Sequence, residues 1–447
     1  MTGLNETLRD NRAFIGQSPV RVSGLARRDF LGGLSAATLA ALGWGGCVRF
    51  RNGDERLADW RPGFLDLHFI YTGCGENMFF RLPDGTAILN DCGEFYRPKS
   101  LPLVPLLPSA ERLGGEWVSR YIQRVYPERE IDYALFSHWH SDHVGHAEFS
   151  AQETPDAAYR FRTLPDGRRV NGFLCVAEDF RIRRLMDHQY PAHGKYGTHE
   201  ACMGLIEKWA ETERKNGLVV EPFRVGALNQ IRMVRTPERF ADSFSIRNVC
   251  ANGVLWDGGA GAIDLAAEHV RATGENYIDQ NVLSAAFVIR YGRFSYFSTG
   301  DVQTQKFVRA SGEKVDYETL IGERVGPVTV CKMGHHDCSN AMGEGLVRHV
   351  CADAYVGCMW CPAQAHPTAL DRLAATPAHT GRKALILPQL ITAHHRSWFE
   401  QTGMPLPHSG AVHVVVRVAP GGESYRVFLL DARDEGLRIV AEFERTC

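Results

Sequence analysis

No run of apolar residues in the 447-residue chain reaches the ~18–20 needed to cross a bilayer as a helix. A surplus of positive charge is also missing: 50 Lys and Arg stand against 52 Asp and Glu, a formal net charge of −2. Nucleic-acid binders show a basic footprint in their bulk charge, so that class is set aside. The 12 cysteines are few for a disulfide scaffold of this length, yet many for a chain meant to stay reduced. There is no internal repeat and no low-complexity tract. What remains is ordinary, with 44% hydrophobic and 23% charged residues. That composition is globular and soluble, and excludes disordered, collagenous and coiled-coil chains.

The N-terminus bears on the compartment. Arg27-Arg28-Asp29-Phe30-Leu31 precedes a small-residue, mildly apolar stretch from about Leu34 to Leu42, closed by Gly43-Trp44-Gly45-Gly46-Cys47. A charged segment, an apolar segment too short to anchor, then small residues is the layout of a secretion signal. The arginine pair with Phe-Leu behind it is similar to a bacterial twin-arginine signal. That likeness implies the twin-arginine export machinery as a partner and a periplasmic or exported location. An amphipathic leader with two chance arginines is the plainer alternative. Cys47 is a candidate for lipidation, although Trp44 stands where an aliphatic residue is expected. Residues 1–60 are therefore read as signal and linker, and 61–447 as one domain with an insertion at about 150–275. Residues 1–47 carry a net charge of +2, so their removal leaves −4.

Within the domain, residues 64–92 alternate like three paired strands, with turns at Gly73-Cys74-Gly75 and Pro83-Asp84-Gly85. Helical spacing of Trp117, Tyr121, Ile122 and Val125 predicts a helix over 115–126, and Leu205, Ile206 and Trp209 predict another near 200–216. Buried-strand patterns cover 131–136, 283–290, 294–299 and 326–331. Strand-rich blocks interleaved with helices fit a layered α/β architecture.

Chemistry-bearing residues gather where these strands end. His138-Trp139-His140-Ser141-Asp142-His143 follows an apolar strand directly. Histidines two apart on an extended segment point the same way, so both can reach one metal ion at ~2.0–2.1 Å. Asp142 and His143, entering a turn, can face a second ion. A polar loop with incidental histidines is the competing reading, and three imidazoles in six residues weigh against it. Phe297-Ser298-Thr299-Gly300-Asp301 ends a strand in a carboxylate whose two oxygens can serve two cations. Alone this is an ordinary turn. A third strand, however, runs into Gly334-His335-His336-Asp337-Cys338-Ser339, and three such clusters favour a metal site.

These motifs resemble those of the metallo-β-lactamase superfamily. Thr72-Gly73-Cys74-Gly75-Glu76, Leu89-Asn90-Asp91-Cys92-Gly93, Asn281 with Ser284, His335-His336 with Ser339, and His366-Pro367 are similar to its ComEC-type branch, over roughly residues 64–385. Here "V-G-Q-G-D" becomes Thr-Gly-Cys-Gly-Glu and "L-I-D-x-G" becomes Leu-Asn-Asp-Cys-Gly. The resemblance implies a four-layer αββα sandwich with a dinuclear site holding two divalent ions, Zn²⁺ or Mn²⁺. It assigns His138 and His140 to the first ion, Asp142, His143 and His335 to the second, and Asp301 between them. No motif places a further ligand of the first ion: His188, His193 and His199 all lie in the insertion, and water could fill the position. His336 would stand beside the site, ready to touch a phosphoryl or carbonyl oxygen, and with Asp142 forms the candidate catalytic pair. Asp91 and His366 are read as residues that orient the ligands.

Two cations ~3.5–4 Å apart acidify a water and stabilise charge on the attacked group, so the implied chemistry is hydrolysis without a Ser or Cys nucleophile. The branch points to a small-molecule or envelope phosphoester or phosphodiester. Hydrolysis of a β-lactam or lactone, or a non-catalytic metal-binding role in the envelope, are the alternatives, and fold does not choose among them. Cys358-Met359-Trp360-Cys361 has redox or zinc-ribbon spacing but lacks a second pair, so a disulfide or two buried thiols fits better. The same choice applies to Cys331 and Cys338. Arg181, Arg183 and Arg184, with Asp187, read as a solvated helix face, with a substrate-facing role as the alternative.

Overall fold

The computed structural model describes residues 47–50, 55–95, 97–98, 104–147, 157–158, 160–196 and 201–447. The arginine pair and apolar segment of the expected signal lie outside the described residues.

Two large sheets organise the chain. The first takes β1 (Cys47–Phe50), β2 (Leu65–Phe69), β3 (Asn77–Arg81), β4 (Ala87–Cys92), β5 (Glu130–Phe136), β6 (Arg181–Asp187) and β7 (Val219–Pro222). The second takes β8 (Phe244–Ala251), β9 (Val254–Trp256), β10 (Ala262–Asp264), β11 (Ala286–Tyr291), β12 (Phe294–Ser298), β13 (Val330–Lys332), β14 (Ala354–Gly357) and β15 (Leu385–Pro388). The chain then returns to the first sheet with β16 (Val412–Val418), β17 (Ser424–Asp431) and β18 (Ile439–Thr446). The order of the first sheet is β1-β18-β17-β16-β2-β3-β4-β5-β6-β7, and that of the second is β10-β9-β8-β11-β12-β13-β14-β15. β4, β5, β6 and β7 run parallel, as do β12, β13, β14 and β15; the other neighbours are antiparallel. The result is a mixed α/β fold.

Period-two alternation decides which side chains meet. Leu65, Leu67 and Phe69 of β2 enter a core shared with Phe287 and Ile289 of β11, Tyr296 of β12 and Val356 of β14. Edge-on aromatic pairs cross from one sheet to the other: Phe80 to Tyr296 at 5.5 Å and Phe69 to Tyr296 at 5.9 Å between ring centroids. The alternate residues of β3, β4 and β5 (Phe79, Leu89, Ala134) pack with α1 (Gly114–Val125), α2 (Phe173–Asp179) and α3 (Ala201–Arg214). On the second sheet, Val288, Phe297, Cys331 and Tyr355 pack with α4 (Leu265–Thr273), α5 (Tyr317–Val325), α6 (Glu344–Val350), α7 (Pro367–Ala375) and α8 (Ala393–Thr402).

The strands expected in 64–92 and the helices expected at 115–126 and 200–216 occur within a residue or two of those bounds. The strand expected at 326–331 pairs only from Val330, because Pro327 has no N–H and the Thr329 amide is taken by the Ser295 hydroxyl and carbonyl. The stretch 150–275, read as an insertion, supplies β6 and β7 to one sheet and β8, β9 and β10 to the other. Arg181, Arg183 and Arg184 are exposed on the strand β6 and not on a helix, because this segment pairs with β5. Cys331, Cys338, Cys358 and Cys361 stand in no disulfide. Among the described residues no helix is long and apolar enough to cross a membrane.

Phe80 is fully buried and touches aromatics of both sheets. Phe80→Ala is expected to lower unfolding stability by about 3–5 kcal/mol at an unchanged denaturant slope, read by urea titration.

Candidate metal centre

Inward-facing rows of the two sheets are apolar in their middle and turn polar at one rim. Ile88 is followed by Asn90 on β4, Tyr296 by Ser298 on β12, and Val330 by Lys332 on β13, all buried. That rim is where the parallel strands present their carboxyl ends, the place in open α/β sheets where ligands bind. His138 follows β5, His188 follows β6, Asp301 follows β12, and His335 and His336 follow β13.

Four side chains converge there. Nε2 of His143 lies 3.0 Å from Oδ2 of Asp301, and Nε2 of His336 lies 3.2 Å from the same oxygen and 3.0 Å from Oδ2 of Asp142. Glu76, His143, Asp301 and His336 each offer a ligand atom within 4.8 Å of the others, and all four are buried. The far nitrogen of each imidazole is tied down: Nδ1 of His143 to Asp91 Oδ2 at 3.0 Å, and Nδ1 of His336 to the Cys358 carbonyl at 2.9 Å. That leaves both Nε2 atoms facing the cluster, the arrangement in which outer partners orient ligating histidines. Beside it, the rings of His138 and His140 lie 4.7 Å apart, and those of His138 and His143 4.1 Å apart.

Charge follows position. Burial opposes ionisation of Asp301, yet His143, His336 and Lys332 outweigh it and hold this carboxyl well below the usual carboxylate range. Burial likewise opposes a proton on His336, and Asp301 and Asp142 bring it up to about 9. His143 is raised well above the usual histidine value despite burial, by Asp301 and Asp142. His138 goes the other way, lowered by burial and then by its neighbours His143 and His140. A neutral imidazole is a metal donor, and Nε2 of His138 is buried without a hydrogen-bond partner, as is Nε2 of His188. Buried donors left unpaired next to a carboxylate–imidazole cluster fit a bound divalent cation.

Of the residues expected from sequence, His138, His140, Asp142, His143, Asp301, His336 and Asp91 are brought together. His335 is turned aside, its Nε2 3.2 Å from Asn281 Nδ2 and its Nδ1 3.1 Å from Asn340 Oδ1. His366 caps α7, accepting from the Thr368 amide, and its own amide donates to the Asp337 carbonyl. His193 pairs with Asp187 and Glu207, and His199 lies outside the described residues. Sequence reasoning did not single out Glu76, Lys332 or Trp360 as site residues. Glu76 had a signal, an acid where the related motif carries Asp. Lys332 had another, a charge at an inward position of an apolar strand. Trp360, whose Nε1 donates to Asp142 Oδ2 at 2.7 Å, had none.

The backbone around the cluster is tight. A Cβ on Gly93 would overlap the Asp142 carbonyl, and one on Gly75 would lie 2.7 Å from it, which is why these turns need glycine. His335, His336 and Asp337 occupy the left-handed region in succession, at φ 42°, 53° and 60°. Each such residue costs ~1–2 kcal/mol, so surrounding contacts must hold the turn. Glu318 holds the segment after it, accepting from the Met342 and Gly343 amides at 2.9 Å and from Thr304 Oγ1 at 2.8 Å.

Against the models of known families, and against curated proteins, the chain has no match. Among solved structures, a mutant of the CmlA beta-hydroxylase aligns at 14% identity and a TM-score of 0.36, covering 74% of this chain and 53% of that one. The chain thus spans about half the length of that protein. A likeness of that degree carries neither fold nor chemistry.

Burial raises the Glu318 carboxyl from 4.5 to about 7, against the hydrogen bonds from Thr304 and Gly343 that lower it. The folded state then keeps a proton that the unfolded chain releases. Glu318 contributes stability in full below about pH 4.5, and loses it as pH rises through about 7. Glu318→Gln should remove a decline of about 3 kcal/mol across that window, read by comparing denaturant midpoints of the two proteins at several pH values.

Proposed function

We propose that the chain is a metal-dependent hydrolase with the four-layer αββα sandwich of the metallo-β-lactamase type, acting on a phosphoester or phosphodiester. The observation that carries this reading is the convergence of His143 Nε2, His336 Nε2 and Asp142 Oδ2 around Asp301 Oδ2, beside the unpaired buried Nε2 of His138. In it, Asp142, His143, His336 and Asp301 hold one divalent cation. His138 and His140, joined by His188, hold a second, and Zn²⁺ or Mn²⁺ suits both donor sets. His336 replaces His335 as the ligand, because His335 is already engaged by Asn281 and Asn340. Bound cations supply Lewis acidity for the attacked group and acidify a water.

The chain's own residues do the rest. Asp91 and the Cys358 carbonyl accept from Nδ1–H of His143 and His336, so Nε2 is the nitrogen that would take a cation in place of its proton. Trp360 donates to Asp142 Oδ2 and holds that carboxylate in one orientation. Phe95 stacks on Trp360, with centroids 4.2 Å apart, and so backs the indole that holds Asp142. Export by a twin-arginine signal, with the substrate met in the cell envelope, completes the reading; the −4 left after its removal suits small phosphoesters better than nucleic acid.

Asp301→Ala and His140→Ala are each expected to reduce metal-dependent turnover of bis(p-nitrophenyl) phosphate beyond the ~10–100-fold typical of losing a mere outer partner. Chelation should abolish wild-type turnover, and Zn²⁺ or Mn²⁺ should restore it. Turnover in either variant equal to that of wild type would sink the proposal.

A further inference from the structure

Lys332 is fully buried, and its ammonium lies among three oxygens. Nζ lies 2.5 Å from the Gly300 carbonyl, 2.7 Å from Glu76 Oε2 and 3.2 Å from Asp301 Oδ1. It donates hydrogen bonds to Gly300 and Asp301 and pairs by charge with Glu76, contacts that fix it in place. Its chain enters from an inward position of β13, in line with Val330. Burial opposes its charge, but Glu76 and Asp301 outweigh that and keep it protonated above the usual lysine range.

The consequence falls on Asp301. Its Oδ2 faces His143 Nε2 and His336 Nε2, while its Oδ1 is held by the ammonium. A carboxylate that serves two cations equally lends one oxygen to each, and here one of the two oxygens already has a cation, the lysine itself. The position facing Oδ2 also has Asp142 and carries two carboxylates. The neighbouring position has His138, His140 and His188, imidazoles that add no anionic oxygen. Divalent ions of the zinc and manganese kind bind more firmly where anionic oxygen is added to imidazole, because the ion's charge is then offset locally.

We infer that Lys332 is a positioning residue that makes the two cation positions unequal, holding Asp301 Oδ1 so that the carboxylate serves the His143–His336 position and leaves the His138–His140 position weak. This rests on the metal-centre reading above and deepens it. Glu76 is the counter-charge that makes a buried lysine tolerable: a lone buried ammonium would cost several kcal/mol.

The test titrates the full-length, chelator-stripped chain with Co²⁺ and with Zn²⁺, following Co²⁺ absorption and heat of binding, without any substrate. Wild type should fill in two steps separated by about tenfold or more in affinity. His140→Ala should leave the first step unchanged and remove the second. In Glu76→Gln the lysine remains on Asp301, so the affinity of the second ion should stay level or fall. In Glu76→Gln/Lys332→Met the Oδ1 atom is released, and the second ion should bind about tenfold more tightly than in Glu76→Gln. A purely structural role would move both variants the same way. Two equal steps in wild type overturn the inference without needing any variant. A second-ion affinity that is the same in the single and the double variant, each checked for a cooperative thermal melt, overturns it as well. A wild type that binds no divalent ion instead defeats the metal-centre reading itself.

Discussion

The structure depends on keeping several charges out of water in one small volume. Glu76, Asp142, Asp301, His143 and Lys332 are all buried at the rim between the two sheets. Removing an ion from water costs several kcal/mol unless a partner of opposite sign sits within hydrogen-bond reach. Each of these groups has one: Lys332 between Glu76 and Asp301, His143 between Asp91 and Asp301, and Asp142 against His336. Remove any one and another is left buried and unbalanced.

Much of the surrounding fold serves that balance. Parallel strands of both sheets end at the same rim, so their carboxyl-terminal turns point at one spot. Register sets the level: Phe136 pairs with Asp187, which brings His188 alongside the turn that starts at Ser137. Glycines at 75 and 93 allow the Asp142 carbonyl to pass close to two other turns, and the Glu76 amide donates to that carbonyl at 2.7 Å. The left-handed run of His335, His336 and Asp337 is strained, and is held by the lysine strand before it, the Glu318 hydrogen bonds after it, and the His366 amide on the Asp337 carbonyl. Strain of this kind persists where many contacts agree on one geometry.

Legibility from sequence followed the range of the interaction. The meander of β2, β3 and β4 and the helix α1 were readable because alternation and helical spacing are local signals. His138, His140, Asp142 and His143 were readable because four ligand-type residues fall within six positions. Asp301 and the His335–His336 pair were readable only as strand-end candidates, grouped with the first motif because three strands end in ligand-type residues, and their assignment to particular ions came from resemblance. The choice between His335 and His336 was not readable at all. Adjacent residues in a strained turn point apart, and which one faces the cluster depends on φ values of 42° and 53° that spacing cannot reveal. His188 looked no different from His193 until the pairing of β6 with β5 placed it. The strands within 150–275 were likewise hidden, since β8 is recruited into its sheet by β11 across a long separation.

By itself the chain determined the kinds of element, the inward and outward faces of its strands, and the chemistry available at their ends. These follow from periodicity and side-chain type, which are written residue by residue. Tertiary structure alone decided which ends meet, which nitrogen of each imidazole faces inward, and that a lysine from β13 would lie between Glu76 and Asp301. The physical reason is that burial and Coulomb attraction act between residues hundreds of positions apart. Lys332 and Glu76 are unremarkable until the sheets close and water leaves; after that, each is the other's condition for being there.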